Sequence, residues 1–176
     1  MIEIHFLLTA WVIVAAWKWG DWKNWDRYYP TLWYFTAMSL LYEFFANDYY
    51  RLWTLQPDFF FNHTTVVLIH TFVIYPLSGF IFLSNFPETR AKQIVHYLKW
   101  IFIYIFLEWI GMLYGYITYE NEWALGWSFF FVIIMFPMIR LHFVKKFTAL
   151  GISIFWTVFF LVIFEYYGWK MPIGGM

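Results

Sequence analysis

The stretch TTVVLIHTFVIYPLSGFIFLS, residues 64–84, decides how this chain folds. It contains no Asp, Glu, Lys or Arg, and it reaches the length of about 20 apolar residues that a helix needs to cross a hydrocarbon core. Five more apolar stretches flank it, at Ile4–Trp19, Thr31–Ala46, Ile94–Thr118, Trp123–Ile139 and Phe147–Tyr167. The first, second and fifth stretches are shorter. They span only if flanking Trp and Tyr are counted, or if the bilayer thins around them. The pattern predicts an all-α polytopic bundle of six transmembrane helices, with residues 1–176 forming one transmembrane domain.

Composition points the same way. Of 176 residues, 63% are hydrophobic and 12% charged, against about 45–50% and about 25% in ordinary soluble domains. A soluble fold of this size still exposes roughly a third of its chain surface, too much for this composition to cover with polar groups. The 13 Trp, 14 Tyr and 23 Phe are the rings that collect at headgroup interfaces. Eleven Lys and Arg balance eleven Asp and Glu. With no dense basic cluster, nucleic acid is not an expected partner; the lipid bilayer is. The chain has no cysteine, which removes disulfides, thiolate metal sites and thiol nucleophiles. The opening residues Met1–His5 lack a basic n-region, and no small-residue cleavage site follows, so the first apolar run reads as a retained helix.

Charge placement orients the chain. Lys18, Lys23 and Arg27, then Arg90, Lys92 and Lys99, then Arg140, Lys145 and Lys146 fall in alternate connections, leaving Arg51 and Lys170 for the opposite side. The positive-inside rule makes the first set cytoplasmic, which places both termini outside. The outer connection Asn47–His63, rich in aromatics, and the inner connection Lys18–Pro30, with Trp22, Trp25 and Tyr29, are expected to lie along the headgroups. The tail Met171–Met176 is expected to be loose.

The run WKWGDWKNWDRYYPT (Trp17–Thr31), followed in order by TFVIYP (Thr71–Pro76) and NFP (Asn85–Pro87), resembles a family of small multi-spanning membrane proteins of spore-forming Bacillota that carries no assigned activity. The resemblance covers most of the chain. It implies a multi-pass protein of a Gram-positive plasma membrane and adds no catalytic residue.

Function is sought where the membrane makes polarity expensive. An ionisable group at a helix centre costs about 2.5–3.5 kcal/mol on insertion scales and marks a candidate site. The candidates are Glu43, His70 and Glu108, with Glu165 near a helix end. By the topology they lie in the middle or outer half, with no Lys or Arg at matching depth. Thr36, Ser39, Glu43 and Ala46 recur along one helical stripe, and Tyr104, Glu108, Gly111, Gly115 and Thr118 along another. Gly111 and Gly115 read as a helix-packing motif, and Pro76 with Gly79 as a kink. Ser and Thr in spans ordinarily bond local carbonyls.

These features suggest three functions. The first is an outward-facing site between helices, made by Glu43, His70 and Glu108 with Tyr42 and Tyr104. It would bind or transport a small apolar or cationic molecule, a lipid or a proton, with rings holding a cation by their negative faces. The second is a membrane scaffold or partner subunit, including a homo-oligomer. An enzyme comes third: Ser39, His70 and Glu43 can be drawn as a triad, but nothing in their spacing favours it, and the expectation is a non-enzyme. No cofactor is expected. His63 and His70 share a helix, while His96 and His142 lie in basic inner connections, a poor arrangement for haem. No metal motif occurs. The sequon Asn62–His63–Thr64 matters only in a glycosylating host.

Overall fold

A computed structural model describes residues 4–46 and 51–164. Glu3, Tyr49, Tyr50, Glu165, Tyr166, Tyr167, Lys170 and the tail Met171–Met176 lie outside the described residues. Six long helices follow one another: α1 (Ile4–Trp19), α2 (Trp25–Ala46), α3 (His63–Ser84), α4 (Arg90–Leu113), α5 (Leu125–Val144) and α6 (Lys146–Ile163). Four of them, α3 to α6, are long and apolar enough to cross a membrane, and α1 is a shorter apolar helix. This is the character of a membrane protein. Two short strands, β1 (Trp53–Leu55) and β2 (Ile117–Tyr119), pair antiparallel, with Trp53 opposite Tyr119 and Leu55 opposite Ile117.

The stretch at residues 64–84 is the central helix. Asn62 caps it, its side chain accepting from Thr65 N at 2.8 Å. α1 and α2 pack against it, α5 packs on α2 and α4, and α6 packs chiefly on α5. Phe80 and Phe82 are fully buried. Ala15 and Ala16 bring α1 close to α3, the small-residue contact that substitutes for a hydrophobic drive in lipid. The outer surfaces are strongly apolar: Phe102, Phe147, Ile154 and Phe155 are each more than half exposed, as lipid-facing positions should be.

At one end of the bundle, the run Trp17–Thr31 forms a packed corner. Trp22, Trp25 and Tyr28 stand edge-on around the Phe80 ring, with centroids at 4.9, 5.2 and 5.2 Å. Trp22 Nε1 donates to the Ala16 carbonyl at 2.8 Å, Asp21 N to Ser84 Oγ at 3.0 Å, and Asn85 Nδ2 to the Trp19 carbonyl at 2.9 Å. Because these rings pack on α3, helix α2 starts at Trp25, six residues before the expected Thr31, and takes Pro30 inside it. The basic corners meet at this same end. Arg140 lies over Phe86 at 4.3 Å and over Phe143 at 5.4 Å, and Arg27 lies over Phe143 at 4.9 Å.

The other boundaries moved for equally local reasons. α4 stops at Leu113, short of Thr118, because Gly115 takes φ +74° and turns the chain into β2. The Gly111–Gly115 pair is therefore not a helix-packing motif. A Cβ on Gly111 would meet Ile117 Cδ1 at 2.9 Å, and Gly115 has nothing within 4 Å. The kink expected at Pro76 takes the form of a π-helical segment, His70–Ile74, whose last turn closes with Tyr75 N donating to the His70 carbonyl. Pro76 cannot donate at the next position. Gly79 admits the ring of Phe35, 3.1 Å from where its Cβ would stand, so it serves packing rather than flexibility.

Candidate functional site

Between the helices lies a cavity of about 350 Å³, within the usual size of small-ligand pockets. Its walls are mostly apolar and aromatic, and α2 and α6 face each other across it. At the deep end they meet through Tyr34 and Ser153, 2.7 Å apart. Ser153 Oγ already donates to the Ala149 carbonyl, so Tyr34 is the donor. The β1–β2 clasp closes the opposite end, with Leu52, Leu55 and Ile117 in the lining.

The polar groups gather toward the clasp. Glu108, from the last turns of α4, is held by its Oε1. Tyr119 on β2 donates to that atom at 2.6 Å, and Ser128, buried on the first turn of α5, donates to it as well. Ser128 Oγ in turn accepts from Trp123 Nε1 at 2.9 Å. Burial, and then the hydrogen bond to Glu108, push the Tyr119 phenol above its ordinary value, so it stays a donor at physiological pH. Among the described residues Glu108 Oε2 makes no hydrogen bond, and Glu108 lines the cavity.

His70 opens the π segment and is paired in a way the sequence did not suggest. His5 Nε2 donates to the Gln56 carbonyl at 2.9 Å, and His5 Nδ1 lies 3.1 Å from His70 Nε2. With the His5 proton committed to Gln56, the neutral pair requires His70 Nε2 to donate to His5 Nδ1. His70 Nδ1 is then an acceptor, and His70 also lines the cavity. Tyr104 supplies a further acceptor. Ser78 Oγ donates to the Tyr75 carbonyl, so the Tyr104 hydroxyl at 2.5 Å must donate to Ser78, which leaves its oxygen lone pairs open. The unspent capacity of His70, Tyr104 and Glu108 is thus for accepting hydrogen bonds. Trp100 Nε1, on the turns of α4 nearer its start, is buried with no partner among the described residues.

Of the residues singled out from sequence, His70, Tyr104, Glu108 and Tyr42 share this cavity and Glu43 does not line it. Tyr42 is also structural. Its ring stacks on Trp53 at 4.9 Å, its hydroxyl donates to the Trp53 carbonyl at 3.0 Å, and Trp53 N donates back at 3.2 Å. Ser39 bonds Thr71 Oγ1 at 3.2 Å, so the Ser39–His70–Glu43 triad is not assembled. His96 faces the Phe82 carbonyl and His142 faces Thr31, so these two histidines do not meet. Among the described residues no group of three or more His, Asp or Glu could hold a metal ion.

His5, Tyr119, Ser128 and Trp123 were missed. His5 carried a signal, a lone imidazole at the start of an apolar run. The other three act only through the turn after Leu113, which helical periodicity hides. No family model matches the chain, and neither a curated protein nor a solved structure matches it.

Proposed function

We propose that this chain is a six-span plasma-membrane protein with both termini outside. In this reading it binds, and passes to or from the outer half of the membrane, a small apolar or cationic molecule whose polar end donates hydrogen bonds. The observation that carries it is the single cavity into which Glu108, His70 and Tyr104 all turn acceptor capacity. An amine satisfies such a wall, its charge facing a carboxylate and its hydrogens facing lone pairs, with tyrosine and tryptophan rings alongside. Alternating basic connections and the resemblance to the Bacillota family support the orientation and the membrane.

Benzylamine tests the site. Calorimetry on the protein in lipid nanodiscs should register saturable benzylamine binding, weakened about tenfold or more by Glu108→Gln, since a charge-assisted hydrogen bond is worth about 1.5–3 kcal/mol. Benzyl alcohol, of the same shape but uncharged, should bind more weakly. Equal binding of benzylamine to the wild-type and Gln proteins would remove Glu108 from the site.

A further inference from the structure

The cavity has one polar end and one apolar end, and its long axis follows the helices. From Ser128 beside Glu108 to Met138, the α5 wall is entirely apolar. At about 1.5 Å of rise per residue that wall runs roughly 15 Å, the reach of a mid-length alkyl chain. On either side stand Met38 of α2 and Thr157 of α6, both half-buried. These two helices face each other across the cavity and are tied at its deep end by the Tyr34–Ser153 bond. The clasp covers the outer end, and Gln56 Nε2 donates to Thr118 Oγ1 at 2.9 Å to hold the two loops together. Besides that bond, α2 and α6 pack on α5 rather than on each other, which leaves the side between them as the route from lipid.

We propose that the cavity takes a single-chain alkylamine directly from the lipid, entering sideways between α2 and α6. The amine lies at Glu108 and the chain runs toward the Tyr34–Ser153 bond. This rests on the reading above, that the Glu108 end binds a hydrogen-bond-donating head, and adds the ligand's chain and its route. Because lipid tails are as apolar as the cavity walls, the chain gains little affinity by moving in. It gains a fixed position, and position is what a test must read.

Two dodecylamine probes carry a photoreactive diazirine, one beside the amine and one at the far end of the chain. Each is added at low mole fraction to the full chain in lipid nanodiscs, and labelled residues are mapped by mass spectrometry. The head-end probe should label around Glu108 and Ser128. The tail-end probe should label Met138 or Tyr34 well above lipid-facing Phe102. Thr157→Trp and, separately, Met38→Trp fill the gap, and each should cut labelling at the deep end about tenfold, the scale of an overpacked site. A cooperative thermal melt and an unchanged elution profile show that each variant is folded. If the tail-end probe labels Phe102 as strongly as Met138, or if both plugged variants leave the deep-end labelling unchanged, the lateral chain site is wrong. Should benzylamine still bind through Glu108 in that case, the head site survives and only the chain and its route are lost. Should benzylamine not bind either, the head site falls with them.

Discussion

At Ser128 one hydroxyl serves two neighbours, accepting from Trp123 Nε1 and donating to Glu108. Ser128→Ala leaves the buried Trp123 N–H without a protein partner, at a cost of about 1–3 kcal/mol, and frees Glu108 to swing. The expected result is lower thermal stability together with weaker benzylamine binding; an unchanged melting temperature would mean that water replaces the hydroxyl. His5→Phe keeps the ring and strands both the Gln56 carbonyl and the His70 donor. It should cost a similar amount, and in the same melting assay should be worse than His96→Phe, which strands only the Phe82 carbonyl. At this scale the sequence was half legible. It picked out Glu108 and His70 because burying them is expensive, but it weighed Glu43 equally. Depth can be counted along a helix; the face that meets a cavity depends on where neighbouring helices stand.

Along the elements, helices were legible and their ends were not. Hydrophobic length located six helices near their observed places. What the length cannot register is a turn made by one glycine or a corner made by packed rings. Gly20 shows how tight that corner is: a Cβ there would lie 2.3 Å from Phe80 Cε1 and 2.5 Å from the Ala16 carbonyl oxygen. The backbone oxygen cannot yield as a flexible side chain would. Gly20→Ala should therefore destabilise the protein by about 1–3 kcal/mol or more, whereas Gly126→Ala, with nothing within 4 Å, should be neutral or slightly stabilising. Equal melting temperatures for the two variants would show that the corner relaxes freely. The quoted runs Trp17–Thr31 and Asn85–Pro87 contribute several of the groups packed here, which accounts for motifs that look structural rather than catalytic.

Across the whole molecule, the absence of cysteine makes orientation simple to measure. Single cysteines at the exposed positions Glu122, Glu88 and Lys145 should report opposite sides. Glu122→Cys should react with an impermeant maleimide on intact cells, and Glu88→Cys and Lys145→Cys only after the membrane is opened; the reverse pattern would invert the topology. The alternation of basic connections was readable because it is a property of the chain in order. The clasp was not, because β1 and β2 are brief and pair across a separation of 62 positions, as Gln56 and Thr118 illustrate. That separation has a consequence for synthesis. At about 5–20 residues per second, β1 waits several seconds for its partner strand to leave the ribosome. Until then Trp53 has Tyr42 to hold it, while Glu108, once made, has neither Tyr119 nor Ser128. The nascent protein thus passes through a stage in which its acid is unsupported; the clasp brings up Tyr119 first, and the cavity takes shape under it only as α5 and α6 follow.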